Sequence, residues 1–147
     1  MTAKAGDASR SRRLYIDTSA YLCMLLGEDG STSLLRETAG AELLSSVLLV
    51  LEAGRSLVRL AREGVLTTSQ YEASRNRLHQ DRDALALRDL TLDLCDAGPI
   101  PAVTTPRSLD LAHLRTALWF HADAPIARFV TMDSAQEQAA RELGLPV

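Results

Sequence analysis

Short apolar runs alternate with segments of helical periodicity along this chain, and that alternation limits its fold more than any other feature. Residues 14–16 read as a first strand, followed at once by a buried helix over residues 18–26. A turn at residues 27–31 leads into a short helix over residues 32–38, and residues 41–45 read as a second strand. Residues 47–63 are a long amphipathic helix, with Val47, Val50, Leu51, Gly54, Leu57, Val58 and Ala61 as its expected apolar stripe. Gly64 breaks it, and a further helix with Thr68 as its expected N-cap runs to about Ala84. Residues 85–94 begin as a strand and admit a helical turn after it. Residues 96–106 carry three prolines, which forbid a regular element. A buried helix over residues 107–120, a strand at 128–131 and a helix over 134–143 closed by Gly144 follow, with residues 145–147 as a candidate last strand. Strands separated by helices throughout predict a parallel sheet covered on both faces.

The length of 147 residues suits one domain, residues 14–147, after a small, polar, basic tail over residues 1–13 that is expected to be disordered. Apolar residues make up 46% of the chain and aromatics only 4%, so the core must rest on Leu, Val and Ala. A net charge of −3 gives no basic field of the kind a nucleic-acid binder often carries. Of the 16 basic residues only Lys4 is lysine. That bias suits phosphate recognition, or it reflects genome composition. Cys23 and Cys95 stand in apolar contexts without metal-type spacing, as in a reduced, cytoplasmic protein. No apolar run approaches the ~20 residues of a membrane span, and the tail lacks the apolar segment of a signal peptide.

Four acids fall at the ends of these elements. Asp17 ends the first strand, Glu52 lies in the first turns of the long helix, Asp110 in the first turn of the helix after the proline-rich segment, and Asp133 after a later strand. In a right-handed parallel α/β sheet such ends share one edge, the edge where ligands bind. Four carboxylates there would repel one another and raise some of their pKa values. A divalent cation relieves that repulsion, and an all-oxygen set suits Mg2+ or Mn2+. Each acid also has a plainer role available. Asp17 is a good N-cap, Glu52 could pair with Arg55 on the helix surface, Asp110 could complement a helix dipole, and Asp133 with Gln136 could form a capping box. Thr18, Ser19, Thr131 and Ser134 are secondary polar candidates, and His113 shares a helix face with Asp110 while reading as a packed histidine. No P-loop, GxGxxG or Ser–His–Asp order is present.

The blocks "LYIDTSAYLCMLLGEDGS", "ELLSSVLLVLEAGRSLVRL", "RSLDLAHLRTAL" and "FVTMDSAQEQAARELGLPV" resemble the PIN domain, in particular the VapC toxins of bacterial toxin–antitoxin pairs. The resemblance covers residues 14–147, with the blocks in the expected order. It implies a PIN-like three-layer α/β/α fold around a central, mostly parallel twisted sheet of four to five strands. It also implies a Mg2+-dependent (or Mn2+-dependent) endoribonuclease whose catalytic and metal-binding acids are Asp17, Glu52, Asp110 and Asp133. A small VapB-like antitoxin and a toxin homodimer follow from the same resemblance. Two departures stand out. The segment before "RSLD" is short and proline-rich, and Arg115 occupies a position where a small or apolar residue is commoner, so that it faces either substrate or solvent.

Leu22, Leu25, Leu34, Leu35, Leu57, Val58 and Leu60 exceed what so short a chain needs inside, and a leftover apolar groove suits a partner helix. Arg55, Arg59 and Arg62 continue the helix face of Glu52 as a basic ridge suited to phosphates, or as an ordinary solvated face. A PIN-like module that binds RNA or protein without cutting is the alternative reading. A phosphorylated receiver domain is not, because it needs a late Lys and the chain has none after Lys4.

Overall fold

A computed structural model describes residues 11–103 and 107–147. The expected tail up to residue 10 and residues 104–106 of the proline-rich segment lie outside the described residues. The elements run β1 (Arg13–Ile16), α1 (Thr18–Leu26), α2 (Ser31–Thr38), β2 (Glu42–Ser46), α3 (Leu48–Arg62), α4 (Thr68–Ala84), β3 (Ala86–Arg88), α5 (Leu92–Cys95), α6 (Ser108–Asp123), β4 (Arg128–Val130) and α7 (Ser134–Glu142). The four strands form one parallel sheet in the order β3–β2–β1–β4. The fold is α/β, with helices on both faces of the sheet.

The period-2 alternation of β1 builds the two layers. Leu14 and Ile16 point to one face and pack with residues of α1, α2, α3 and α4, among them Tyr21, Leu34, Leu57 and Leu78. Tyr15 points to the other, with Leu44, Leu114, Phe120 and Phe129 against α6 and α7. Its ring stacks on Phe129, the residue paired with it in β4, at a centroid distance of 5.2 Å. Such a pair adds about 0.5–1.5 kcal/mol to simple burial. Two of the chain's few aromatics are thereby spent on the joint between β1 and β4.

That joint is the switch point of the sheet. The chain steps outward from β1 to β2 to β3, then crosses back through α5 and α6 to lay β4 on the other side of β1. Helices after β1 and β2 cover one face, and those around β4 the other, so their connections diverge above the C-terminal ends of β1 and β4. Asp17 and Thr131 are the residues that leave those two strands.

Several details differ from the sequence expectation. Arg13 belongs to β1, and the Arg12 carbonyl accepts the Glu42 N–H at 2.9 Å, so pairing begins inside the segment expected to be tail. Helix α3 buries Leu49, Ala53 and Leu57, whereas Leu51 and Val58 of the expected stripe face outward. "LLVL" is apolar all round, so its period does not fix a phase; the sheet face carrying Ile16 and Val130 does. The N-cap of α4 is Thr67, not Thr68. Its hydroxyl accepts the Gln70 N–H at 3.2 Å while the Gln70 side chain accepts the Thr67 N–H at 2.9 Å. Residues 145–147 form no strand, but the Pro146 carbonyl accepts the Phe129 N–H at 2.7 Å along the β4 edge. Gly144 closes α7 with a φ of +78°, where a side chain would be strained. Among the described residues no helix is long and apolar enough to cross a membrane.

Candidate functional site

The C-terminal sheet edge carries the four acids, with Asp17, Asp133 and Asp110 on one chain of polar contacts and Glu52 in a second group with Thr18, His113 and Tyr15. Asp17 continues the ladder, its N–H donating to the Val130 carbonyl at 3.1 Å, and then caps α1. Its Oδ1 accepts from the Ala20 N–H at 3.0 Å and the Ser19 hydroxyl at 2.7 Å, and its Oδ2 accepts from the Thr131 hydroxyl. The capping role and the edge position are therefore the same placement seen twice. Asp17 is only 5% exposed, and burial pushes its carboxyl above the usual carboxylate range despite the Thr131, Ser19 and Ala20 donors.

Thr131 links this acid to the next. Its Oγ1 accepts the Asp133 N–H at 3.1 Å and lies 3.1 Å from the Ser19 hydroxyl, while Ser19 also accepts the Met132 N–H at 2.9 Å. Asp133 caps α7, taking the N–H groups of Ala135 at 2.9 Å and Gln136 at 3.3 Å on Oδ1. The expected capping box is not closed. Gln136 turns away and donates its side-chain N–H to the Asp110 carbonyl at 3.0 Å, tying α7 to the first turn of α6.

Arg107, just before α6, spans the remaining gap. Its Nε lies 2.6 Å from Asp110 Oδ2 and its Nη2 3.2 Å from Asp133 Oδ2. The sequence reading passed over this residue. The signal available was an Arg three positions before an acid at a helix start, a spacing that lets the two meet across one turn.

Glu52 joins from the opposite layer. Its Oε1 accepts from the Thr18 hydroxyl at 3.0 Å and from His113 Nε2 at 2.8 Å. The surface pairing with Arg55 is not made. Burial pushes the Glu52 carboxyl up, but the His113 bond and charge, with Thr18, outweigh it and leave the pKa below the usual range. His113 is 3% exposed, and its Nδ1 lies 2.8 Å from the Tyr15 hydroxyl. Burial, reinforced by the Asp17 charge, holds the Tyr15 hydroxyl well above its ordinary pKa, so it stays a phenol. The ring thus bridges Tyr15 and Glu52, one nitrogen to each.

The donor set suits a hard divalent cation, being oxygen from carboxylates and hydroxyls. Two further observations fit one. A positive group, the Arg107 guanidinium, already stands between Asp110 and Asp133. The Gln136 Oε1 atom is buried without a donor among the described residues, while its side-chain N–H holds the turn that carries Asp110. Among the described residues no three His, Cys, Asp or Glu side chains converge as ligands of one ion in this arrangement. Asp110 and Asp133 are engaged by Arg107, and Glu52 by Thr18 and His113.

Arg115 is half-buried and its bonds run to backbone carbonyls rather than to the acids. It donates to the carbonyls of Ala97 at 2.9 Å and Gly98 at 3.2 Å, fastening the start of the proline-rich segment to α6. Of the expected apolar groove, Leu34 and Leu57 are in the core and Leu22 and Leu25 pack against it, which leaves Leu35 and Val58 exposed. An open concavity of about 850 Å³ lies beside Leu35, lined by Tyr21, Met24, Leu25, Leu43 and Leu85, with Arg77 and Asp81 among its polar groups. No family model and no curated protein matches the sequence.

Proposed function

We propose that this chain is a PIN-like, divalent-metal-dependent endoribonuclease, the toxin half of a toxin–antitoxin pair. One observation carries the reading: Asp17, Asp133 and Asp110 lie on one chain of polar contacts at the β1/β4 switch point, and Glu52 is held beside it by His113 and by Thr18, the residue after Asp17. A Mg2+ or Mn2+ ion held by these four acids would supply positive charge to polarise an RNA phosphodiester and offset the charge that develops on it.

The chain's own groups prepare that place. Asp17 is fixed by three donors and sits on a strand end rather than a loop, so it is aimed without further ordering. His113 and Thr18 orient Glu52 from behind, as outer partners of ligating carboxylates do. Arg55, Arg59 and Arg62 lie exposed on α3, leading away from Glu52, and offer guanidinium forks to flanking phosphates. Arg59 pairs with Glu63 at 3.0 Å, an exposed bond that gives way cheaply. The apolar concavity beside Leu35 supports a VapB-like antitoxin helix as partner, with the toxin as a homodimer in the cytoplasm.

The test is cleavage of total RNA by the purified chain with Mg2+, with chelator, and with Asp17→Asn. The expected result is cleavage that needs the metal and falls by about 10²- to 10³-fold in the variant while the fold is retained. Cleavage that resists chelation overturns the reading. Expressed alone the chain should arrest growth, and a small neighbouring open reading frame should relieve the arrest. Harmless expression removes the toxin role and leaves the nuclease.

The occupation of Asp110 and Asp133 by Arg107 favours a second reading, an RNA-binding or protein-binding module that does not cut. Tight RNA binding with no product at any Mg2+ or Mn2+ concentration selects it.

A further inference from the structure

We propose that Arg107 is the resting occupant of the cation position at this edge, and that a divalent cation taking Asp110 and Asp133 frees its guanidinium to hold an RNA phosphate. The proposal rests on the metal-dependent reading above and names the residue that exchanges metal for substrate.

The geometry points to an exchange because one side chain bonds two carboxylates carried by two different helices. Arg107 Nε reaches Asp110 of α6 at 2.6 Å, and Nη2 reaches Asp133, the cap of α7, at 3.2 Å. Two carboxylates brought to one point repel unless a positive group lies between them. Arg107 supplies a single charge there and a divalent ion supplies two. The Arg107 side chain is 69% exposed, so its bonds are the weakly held kind that water and salt loosen. Contrast Arg13, whose side chain is 16% exposed and whose loss would disturb a strand end. Releasing Arg107 breaks no core contact. A freed guanidinium fork beside an acidic edge has phosphate as its natural ligand, since its paired N–H groups match two phosphate oxygens.

The test compares the full chain with Arg107→Gln, and with Arg141→Gln as a control on α7, where Arg141 pairs with Glu137 and Gln138 among the described residues. Mn2+ alone is titrated calorimetrically. Arg107→Gln should bind it up to about fivefold more tightly than the wild type, the size of a lost competing exposed ion pair; Arg141→Gln should not change. Binding of a 2′-O-methyl RNA oligonucleotide, recovered intact, is then measured with Mn2+ and with chelator. Arg107→Gln should bind it several-fold more weakly with Mn2+ and equally with chelator. Unchanged or weaker Mn2+ binding in Arg107→Gln overturns the exchange. So does an RNA defect of the same size with and without Mn2+. If the wild type itself binds no Mn2+, the metal-dependent reading fails and the exchange with it. If the wild type binds and Arg107→Gln binds equally, only the exchange fails.

Discussion

His113 Nε2 lies 2.8 Å from Glu52 Oε1, so a helix of one layer holds an acid carried by a helix of the other above the sheet edge. The same ring meets the buried Tyr15 hydroxyl at 2.8 Å. Replacing it takes a buried partner from two polar groups at once, although Glu52 keeps the Thr18 hydroxyl. His113→Leu should therefore cost about 2–3 kcal/mol in urea unfolding. Adding Tyr15→Phe to it should restore part of that loss, because the phenol no longer needs a partner. A His113→Leu protein as stable as the wild type would show that the bridge carries no stability.

Asp17 and Glu52 should respond to pH with opposite signs. Burial raises the Asp17 pKa in the folded state, so the native chain holds its proton more tightly than the unfolded chain, whose value is about 3.9. Stability from this group falls as pH rises from the unfolded toward the folded value, and stays low at neutral pH. Asp17→Asn should then be at least as stable as the wild type at pH 7, with its advantage shrinking as the pH is lowered toward 4. Glu52 has a lowered folded pKa, so its contribution is present above the unfolded value and is lost as pH falls through the folded one. Glu52→Gln should lose stability at pH 7 and flatten the acid side of the stability curve. Thermal unfolding between pH 3 and pH 8 separates the two; matching slopes would contradict both assignments.

Metal should raise the melting temperature if the acids bind it before substrate arrives. At a hundredfold excess over its dissociation constant a ligand adds about 2.7 kcal/mol. Calorimetric melts with and without Mn2+ read this directly, and Asp110→Asn should abolish the increase. A melting temperature indifferent to Mn2+ would count against the metal-dependent reading.

The start of α4 gives a test far from the site. Thr67→Ala removes the cap of a closed capping box and should cost about 1 kcal/mol, whereas Thr68→Ala, one residue inside the helix, should cost almost nothing. Equal losses at the two positions, measured by urea unfolding, would put the helix start elsewhere.

The alternation of strands and helices was legible because it rests on local periodicity, and the acids were placed because they follow strand ends or open helices. What stayed hidden depended on the partner layer. "LLVL" cannot say which side meets the sheet, so Leu51 and Val58 were assigned to the wrong face of α3. Glu52 sits among arginines along the helix, and only the approach of α6 shows that it turns to His113 instead. Arg107 and Asp133 are 26 residues apart, and no pattern in the sequence announces their contact. Arg115 is tied to backbone carbonyls, which carry no sequence signature at all.

Strand β1 lies between β2 and β4, and the bond from Thr131 to Asp17 closes a loop of 114 residues. Contacts so distant along the chain carry a large closure entropy and form late. The α1–α4 layer can gather on β1, β2 and β3 before β4 arrives, since its buried residues come mostly from the first part of the chain. A molecule caught at that stage holds Asp17 and Glu52 but lacks the docked segments that carry Asp110, His113 and Asp133. The acidic edge is thus a product of complete folding, and a partly folded or truncated chain would not carry it.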